Sequence, residues 1–348
     1  MTQSSNVNIE SITPLSTPGE IKELYPASEE LMQQVVDHRN QIKRILDRQE
    51  KKLMIITGPC SIHSEKSALE YGRRLLALQK QVGDKIFLIM RAYFEKPRTT
   101  VGWKGMMYDP DLNNSYNIEK GLREARKIFR ELVMMGLPTA TEILEPIIPQ
   151  YIADLVSWTA IGARTTESQT HRQLTSGLSM PIGFKNATDG NVHVAVNAIT
   201  SSASKHAFIG ITDLGKISIF KSKGNKYGHV VLRGGNTMTN YSSECIAFTR
   251  IIMEKAGITP NIIVDCSHAN SNKEPRKQLD VMQDVITQIC NGEDCIVGTM
   301  IESHIKEGSQ SINSKPVDPE ISITDACIGW EDTEACILEA HERLSKLK

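Results

Sequence analysis

Leu53-Met54-Ile55-Ile56-Thr57, running into Gly58-Pro59-Cys60 and then an amphipathic stretch over 66–80, decides how the chain is read. The apolar run is short and β-rich, the following segment carries a helical period, and turn residues separate them, so the pair reads as one βα unit. The same alternation continues downstream. Further β-rich runs at Ile86–Arg91, Pro138–Glu142, Ala160–Arg164, Ile182–Lys185, His229–Arg233, Ile262–Asp265 and Cys295–Ile301 bring the total to eight. Helical candidates lie between them at 118–135, 242–256 and 276–290, and in the last Leu279, Met282, Val285, Ile286 and Ile289 share a face. Strands alternating with helices imply a parallel sheet. The expected fold is therefore α/β, a (β/α)8 TIM barrel, with a doubly wound open sheet as the alternative. Two segments stand outside the repeat. Residues 1–35 carry turn residues (Pro14, Pro18, Gly19, Pro26) and little periodicity, and read as an N-terminal extension for regulation or oligomerisation ahead of a barrel over 36–348. Ala207–Ile211 and Ile217–Phe220 flank a Gly-containing turn and read as a β-hairpin inserted at about 207–220. The stretch 95–114 is long for a βα loop, and such loops are more often functional than idle.

Composition narrows the class. With 40% apolar and 23% charged residues the chain can bury a core, which excludes global disorder. Forty Lys+Arg against 41 Asp+Glu leave a net charge of -1, so neither a nucleic-acid partner nor an anionic membrane surface is expected. The apolar runs fall far short of the roughly 20 residues of a bilayer span. Residues 1–20 lack a basic segment followed by an apolar one, so no signal peptide is expected. Seven cysteines, odd in number and without a C-x-x-C pair, argue against a disulfide framework and for a reducing, cytoplasmic setting.

In a barrel the chemistry gathers at the C-terminal ends of the strands. Those ends read, in order, Cys60, Arg91, Glu142, Arg164, Lys185, Arg233, His268 and Glu302. Ordinary turns favour Gly, Asn, Asp and Ser, so a full set of charged or metal-capable residues marks a site. Arg91, Arg164, Lys185 and Arg233, joined by Lys96 and Arg98, are cations from separate units facing one mouth. Singly, each reads as a solvated surface charge. Their convergence favours a phosphorylated anion, whose oxygens match guanidinium geometry. Arg233-Gly234-Gly235 is too short for a phosphate loop, which leaves recognition to side chains. Cys60, His268, Glu302 and Asp325 form a second set. Alone, a Cys in a strand is core and a His after one is hydrogen-bonded structure. Together they come from the first, seventh and eighth strands and the loop beyond, neighbours in a closed barrel, and suit Zn, Mn, Fe or Co better than Mg or Ca. Other readings stay open: a Schiff base on Lys185, as in class I aldolases, and a non-catalytic phosphate-sensing barrel. A nucleophile pair of Cys60 or Ser61 with His63 has poor geometry, the residues being too close in sequence at a strand exit.

Longer motifs carry a resemblance. Gly58-Pro59-Cys60-Ser61-Ile62-His63, Lys96-Pro97-Arg98-Thr99-Thr100-Val101-Gly102-Trp103, Gly162-Ala163-Arg164-Thr165-Thr166-Glu167-Ser168, Gly183-Phe184-Lys185-Asn186, Leu232-Arg233-Gly234-Gly235, Asp265-Cys266-Ser267-His268-Ala269-Asn270 and Ser322-Ile323-Thr324-Asp325-Ala326-Cys327 occur in order. Over residues 20–340 or so the chain resembles the 3-deoxy-D-arabino-heptulosonate 7-phosphate (DAHP) synthases of the microbial amino-acid-regulated class.

The resemblance implies a metal-dependent condensation of phosphoenolpyruvate with D-erythrose 4-phosphate, the first step of the shikimate pathway. It implies one divalent metal ion per subunit on Cys60, His268, Glu302 and Asp325. Phosphoenolpyruvate would be surrounded by Arg91, Lys96, Glu142, Ala163, Arg164, Lys185 and Arg233, and the erythrose phosphate held by Arg98 and Thr99. Lys96 would supply a proton, with Cys60 and His268 beside it in the catalytic set. An aromatic amino acid effector would bind at Pro149, Gln150, Ser179, Phe208 and Gly210 in a homo-oligomer, dimer or tetramer. Phenylalanine-sensitive members tend to carry Ser at the position of Gly210, so tyrosine is the expected effector. A sister family that uses arabinose 5-phosphate would show Lys-Ala-Asn-Arg in place of Lys96-Pro97-Arg98-Thr99.

Overall fold

The computed structural model describes residues 4–314 and 316–347. Its elements run α1 (Pro18–Leu24), α2 (Glu29–Leu46), β1 (Leu53–Gly58), α3 (Glu65–Val82), β2 (Ile86–Arg91), α4 (Ile118–Met134), β3 (Thr139–Glu142), α5 (Pro149–Ile152), β4 (Trp158–Ile161), α6 (Gln169–Thr175) and β5 (Ile182–Lys185). There follow α7 (His193–Ser202), β6 (Ala207–Ile211), β7 (Ile217–Lys221), β8 (Gly228–Leu232), α8 (Ser243–Lys255), β9 (Ile262–Asp265), α9 (Lys277–Cys290), β10 (Ile296–Glu302) and α10 (Trp330–Ser345). Eight parallel strands close in the order β1-β10-β9-β8-β5-β4-β3-β2, with β6 and β7 apart as an antiparallel pair. The barrel expectation holds and the open sheet does not. Strands such as β1, β2 and β10 are buried at every position because both faces are covered, which is why they read as continuous apolar runs. Met54, Ile56, Ile89, Trp158, Val231 and Ile263 fill the interior, while Ile55, Leu88 and Val264 face the helices. Parallel register sets Gly58 of β1 opposite Glu302 of β10, so the first and last strands of the barrel deliver their exits to one place.

Several boundaries differ from the sequence reading, most of them by a single residue. β4 starts at Trp158 and ends at Ile161, releasing Gly162-Ala163-Arg164 into the loop. A Cβ on Gly162 would collide with Glu142 Oε1, so this turn packs directly on the neighbouring strand end. The hairpin forms as expected, within one residue. The extension is more ordered than its composition suggests: Thr17 and Glu20 form a capping box on α1, and Ser28 caps α2. α2 then runs unbroken through residue 35, so the boundary expected there falls inside a helix.

The extension reaches the hairpin. Gly19 N–H donates to Asp213 O (2.8 Å) and Lys22 Nζ pairs with Asp213 Oδ1 (2.7 Å). On its other side, Ser16 donates to Glu119 through N–H (3.0 Å) and Oγ (2.7 Å), and Tyr151 OH donates to Ser16 O (2.8 Å). Phe208 and Phe220 stack across the hairpin at 5.8 Å, whereas Ile209, Ile217 and Ile219 point to solvent. No helix among the described residues is long and apolar enough to cross a membrane.

Candidate active site

β1 leaves the barrel through Gly58, where a Cβ would stand 2.6 Å from the Arg91 carbonyl oxygen; glycine is needed for this close approach. Arg91 lies beneath the mouth. Its Nε donates to Pro59 O (3.1 Å), its Nη2 to Cys60 O (3.2 Å) and Glu302 Oε1 (2.8 Å), and its guanidinium sits 3.6 Å over the Tyr93 ring. At this position it ties β1, β2 and β10 together beneath the mouth.

On that tie stands the Cys/His/carboxylate cluster. Cys60 Sγ and carboxylate oxygens of Glu302 and Asp325 lie within 4.8 Å of one another, and His268 brings Nε2 to 3.9 Å from Glu302 Oε1. All four residues singled out in the sequence therefore meet. Lys96 Nζ reaches Cys60 Sγ (3.1 Å) and Cys60 O (3.2 Å). Burial, then the Glu302 charge, pushes the Cys60 thiol above its ordinary value against the opposing pull of Lys96. Burial would lower Lys96, but the negative charge of Cys60 and Glu302 outweighs it and keeps the ammonium protonated. A thiol, an imidazole and two carboxylates in this span suit a borderline transition-metal cation, which would also hold the sulfur as thiolate.

Above the cluster opens a cavity of about 1000 Å³. Of the predicted substrate residues, Lys96, Arg98, Thr99, Glu142, Ala163, Arg164, Lys185 and Arg233 line it, with His268 and Asp325; Cys60 and Glu302 lie beneath. Arg164 Nη2 donates to Thr99 Oγ1 (3.0 Å) and Arg98 Nε to Trp103 O (2.7 Å). Asn186 Oδ1 accepts from the Arg233 N–H (2.9 Å) and from Asn240 Nδ2 (3.2 Å), fixing the exit of β8 beside that of β5.

Several residues carry the site without having been given a role from sequence. Asp265, buried at the end of β9, has its Oδ2 3.1 Å from Lys185 Nζ and 2.9 Å from His268 Nδ1. The legible signal was its place three residues before His268 at a strand end. Glu95, also buried, accepts from the N–H groups of Leu144 (3.3 Å) and Glu145 (3.1 Å) and from Tyr108 OH (3.3 Å), pinning the 95–114 loop to the exit of β3. Burial pushes its carboxyl up to about 8 despite those donors. Cys327 accepts the Cys60 N–H through its sulfur at 3.4 Å.

A second cavity, about 810 Å³, lies between the hairpin and α6. Pro149, Gln150, Phe208 and Gly210 line it as expected, together with Phe220. Ser179 does not. Asn225 Nδ2 donates to the carbonyls of Leu178 (3.0 Å) and Met180 (2.9 Å) on either side, and Ser179 between them is exposed outside the wall.

A closed eight-stranded parallel barrel, with cations and a Cys/His/carboxylate cluster gathered at its C-terminal mouth, defines the class: a (β/α)8 barrel enzyme. The model of the DAHP synthetase I family matches residues 29–337, and the chain belongs to that family. It is 49% identical over 343 residues to a Tyr-sensitive phospho-2-dehydro-3-deoxyheptonate aldolase of Escherichia coli K12, covering 98% of this chain and 96% of the relative. It is 48% identical over 336 residues to the Phe-sensitive enzyme of the same strain, covering 96% of each. The solved phospho-2-dehydro-3-deoxyheptonate aldolase of Francisella tularensis SCHU S4 superposes with a TM-score of 0.96 at 44% identity, over 98% of this chain and 100% of that one. Its activity is accordingly that of a 3-deoxy-7-phosphoheptulonate synthase, at the first step of the shikimate pathway, in a family that is generally metal-dependent.

Proposed function

We propose that the larger cavity joins phosphoenolpyruvate to D-erythrose 4-phosphate, with one divalent ion of Mn, Fe, Co or Zn per subunit held by Cys60, His268, Glu302 and Asp325. One observation carries this reading: three of those ligand groups lie within 4.8 Å of one another beside a wall that supplies Lys96, Arg98, Arg164, Lys185 and Arg233. Two phosphorylated substrates bring about five negative charges into one cavity, and unpaired charge in low dielectric is costly. The cation set is of the size needed to offset them. Arg164, Lys185 and Arg233 take the enol phosphate, while Arg98 and Thr99 take the sugar phosphate, which turns C3 of the enol toward the aldehyde carbon. The ion, when bound, polarises the aldehyde oxygen as a Lewis acid. Lys96 gives its proton to that oxygen as the carbon–carbon bond forms; water then adds to C2 and phosphate departs. The test is phosphate release from phosphoenolpyruvate with erythrose 4-phosphate or arabinose 5-phosphate, with and without chelator. Turnover should require the four-carbon sugar, vanish on chelation and return with a divalent transition metal; full activity of metal-free protein overturns the reading.

The second cavity supports a regulatory reading as well. We infer that it binds an aromatic amino acid, L-tyrosine, through Pro149, Gln150, Phe208 and Gly210. At Gly210 a Cβ would come within 3.0 Å of the Phe220 ring, so glycine leaves that ring its place and leaves space for a phenol oxygen. The Tyr-sensitive relative supports this choice, and the Phe-sensitive one, nearly as similar, makes effector titration the deciding measurement. Ile209, Ile217 and Ile219, 78%, 80% and 75% exposed, form an apolar face on a two-stranded ribbon that suits a second copy of the chain, in a dimer or tetramer. Free cysteines fit the reducing cytoplasm.

A further inference from the structure

Three buried asparagines join the exits of β5, β8 and β9, strands that are neighbours in the barrel. Asn186 follows Lys185, Asn240 lies in the loop after β8, and Asn270 stands two residues beyond His268. β8 ends at Leu232, so Arg233 and Gly234 have left the ladder, yet all four of their backbone polar groups are held. Arg233 N–H donates to Asn186 Oδ1 (2.9 Å) and Gly234 N–H to Asn240 Oδ1 (2.7 Å). Gly234 O accepts from Asn186 Nδ2 (3.0 Å), and Arg233 O from the Ala269 N–H (3.2 Å). The asparagines also hold one another. Asn240 Nδ2 donates to Asn186 Oδ1 (3.2 Å), and Asn270 Oδ1 accepts from the Asn240 N–H (2.9 Å). Asn270 Nδ2 completes the set on the carbonyls of Leu232 (3.2 Å) and Asp265 (2.9 Å). Because each amide meets backbone N–H or C=O groups, its oxygen and nitrogen can be placed one way only.

From this network we propose that Asn186, Asn240 and Asn270 are positioning residues which fix the main chain of Arg233, and through it the grip of that guanidinium on the enol phosphate. The inference rests on the site reading above. The strand of Arg233 lies between those that deliver Lys185 and His268, and all three residues line the cavity. A long side chain meets a phosphate in a fixed geometry only if its root is held still. A strand would supply that rigidity, but β8 stops one residue short, and the amides take the place of the missing ladder. Asparagine suits the task because one side chain offers an acceptor to N–H groups and donors to C=O groups. Such a buried network is rigid while every member is satisfied, and the loss of one leaves the Gly234 N–H without its partner. Gly234 has a φ of +78°, and a Cβ there would meet that of Ala269 at 2.7 Å, so the turn is packed tightly on the loop after β9. Arg98 and Thr99 come from the loop after β2, which none of the bonds named above reaches. The sugar phosphate should therefore not feel the network.

The experiment uses full-length, Mn²⁺-loaded protein and compares wild type with Asn240→Leu, which keeps the side-chain volume and removes both of its hydrogen bonds. Phosphoenolpyruvate affinity is read by calorimetry, and KM for each substrate from initial rates. Phosphoenolpyruvate affinity should fall about 10- to 100-fold, up to the loss that a misplacement of about 1 Å can cause, while KM for erythrose 4-phosphate stays within about twofold of wild type. In an Arg233→Ala background the same substitution should cost about twofold or less, since a residue that acts through another is not additive with it. Equal losses for both substrates, a full effect in the Arg233→Ala background, or wild-type phosphoenolpyruvate affinity in Asn240→Leu each overturn the inference. Should Asn240→Leu not fold, Asn240→Ser decides: its shorter hydroxyl should give the same split at about three- to tenfold, the size of one hydrogen bond. Wild-type phosphoenolpyruvate affinity in that variant overturns the inference as well. Arg233→Ala alone keeps the two readings apart. Unchanged phosphoenolpyruvate affinity there fails the site reading, whereas a loss there with none in the asparagine variants fails the inference only.

Discussion

Lys96 Nζ lies 3.1 Å from Cys60 Sγ, and both groups are buried. The negative charge around Lys96 holds its ammonium protonated despite burial. This places the proton proposed to travel to the product within reach of the cluster that would hold the aldehyde. Replacing Lys96 by Met keeps the length and removes the proton. The expected result is a fall in kcat of about 10²–10⁴-fold, the usual range for a positioned general acid, with a smaller change in KM for phosphoenolpyruvate. A variant that keeps a tenth or more of wild-type kcat would remove Lys96 from this role.

Arg98 and Arg164 should separate the two phosphates. Losing a charged hydrogen bond costs about 1.5–3 kcal/mol. Arg98→Ala should therefore raise KM for erythrose 4-phosphate by about tenfold or more, and Arg164→Ala should do the same for phosphoenolpyruvate. Arg164 also touches Thr99 at 3.0 Å, so its loss should spill weakly into the sugar site. Initial rates varied in each substrate decide the matter; an Arg98→Ala effect confined to phosphoenolpyruvate contradicts the division.

His229 predicts an acid limit to stability. It is fully buried, Nε2 accepts from Trp158 Nε1 (3.0 Å), and desolvation pushes it down to about 4. The folded chain therefore keeps this ring neutral where the unfolded chain, near 6.5, takes a proton. Its contribution is whole above pH 6.5 and is lost as the pH falls to about 4, on the order of 3 kcal/mol. His38, lowered to about 4 by burial, adds in the same direction. Urea midpoints at pH 7.5, 6 and 5 should decline, and His229→Asn should flatten the decline. An identical pH slope in that variant counts against the assignment.

Feedback should depend on the tie between the extension and the hairpin. Because α2 begins at Glu29, a truncation after Tyr25 removes Ser16, Gly19 and Lys22 without cutting that helix. It should relieve inhibition by L-tyrosine while leaving kcat near wild type. Gly210→Ser should shift the preference toward phenylalanine, since the added Cβ displaces the Phe220 ring by a few tenths of an ångström. Stronger inhibition by phenylalanine or tryptophan in the wild type overturns the effector assignment.

Much of this was legible in the sequence, and the exceptions have physical causes. Strands at Ile86–Arg91, Ile182–Lys185 and Ile262–Asp265 match residue for residue, because a strand buried on both faces is written as an unbroken apolar run. Cys60, His268, Glu302 and Asp325 could be grouped because barrel closure makes neighbours of remote segments. Arg91 shows what that logic leaves out: strand-end position places a cation near the mouth, but the three acceptors that make it a tie between strands are invisible in the sequence. Asp265 and Glu95 escaped for the opposite reason, since their work is done through other residues and leaves no spacing of its own. α1 and α2 escaped because Pro18, Gly19 and Pro26 looked like irregular chain, while Thr17 and Ser28 were capping helices.

Pairing of Gly58 with Glu302 puts the Cys/His/carboxylate cluster at the seam where the barrel shuts. During synthesis Cys60 emerges early, and its partner Glu302 follows roughly 240 residues later, about 10–50 s at ordinary elongation rates. Until then β1 has an open edge and the proposed ligand set lacks both of its carboxylates. A ribosome-bound chain halted short of Glu302 cannot assemble the set proposed to hold the ion, so on that proposal ion capture would report completed closure and mark the finished enzyme from its unfinished precursors.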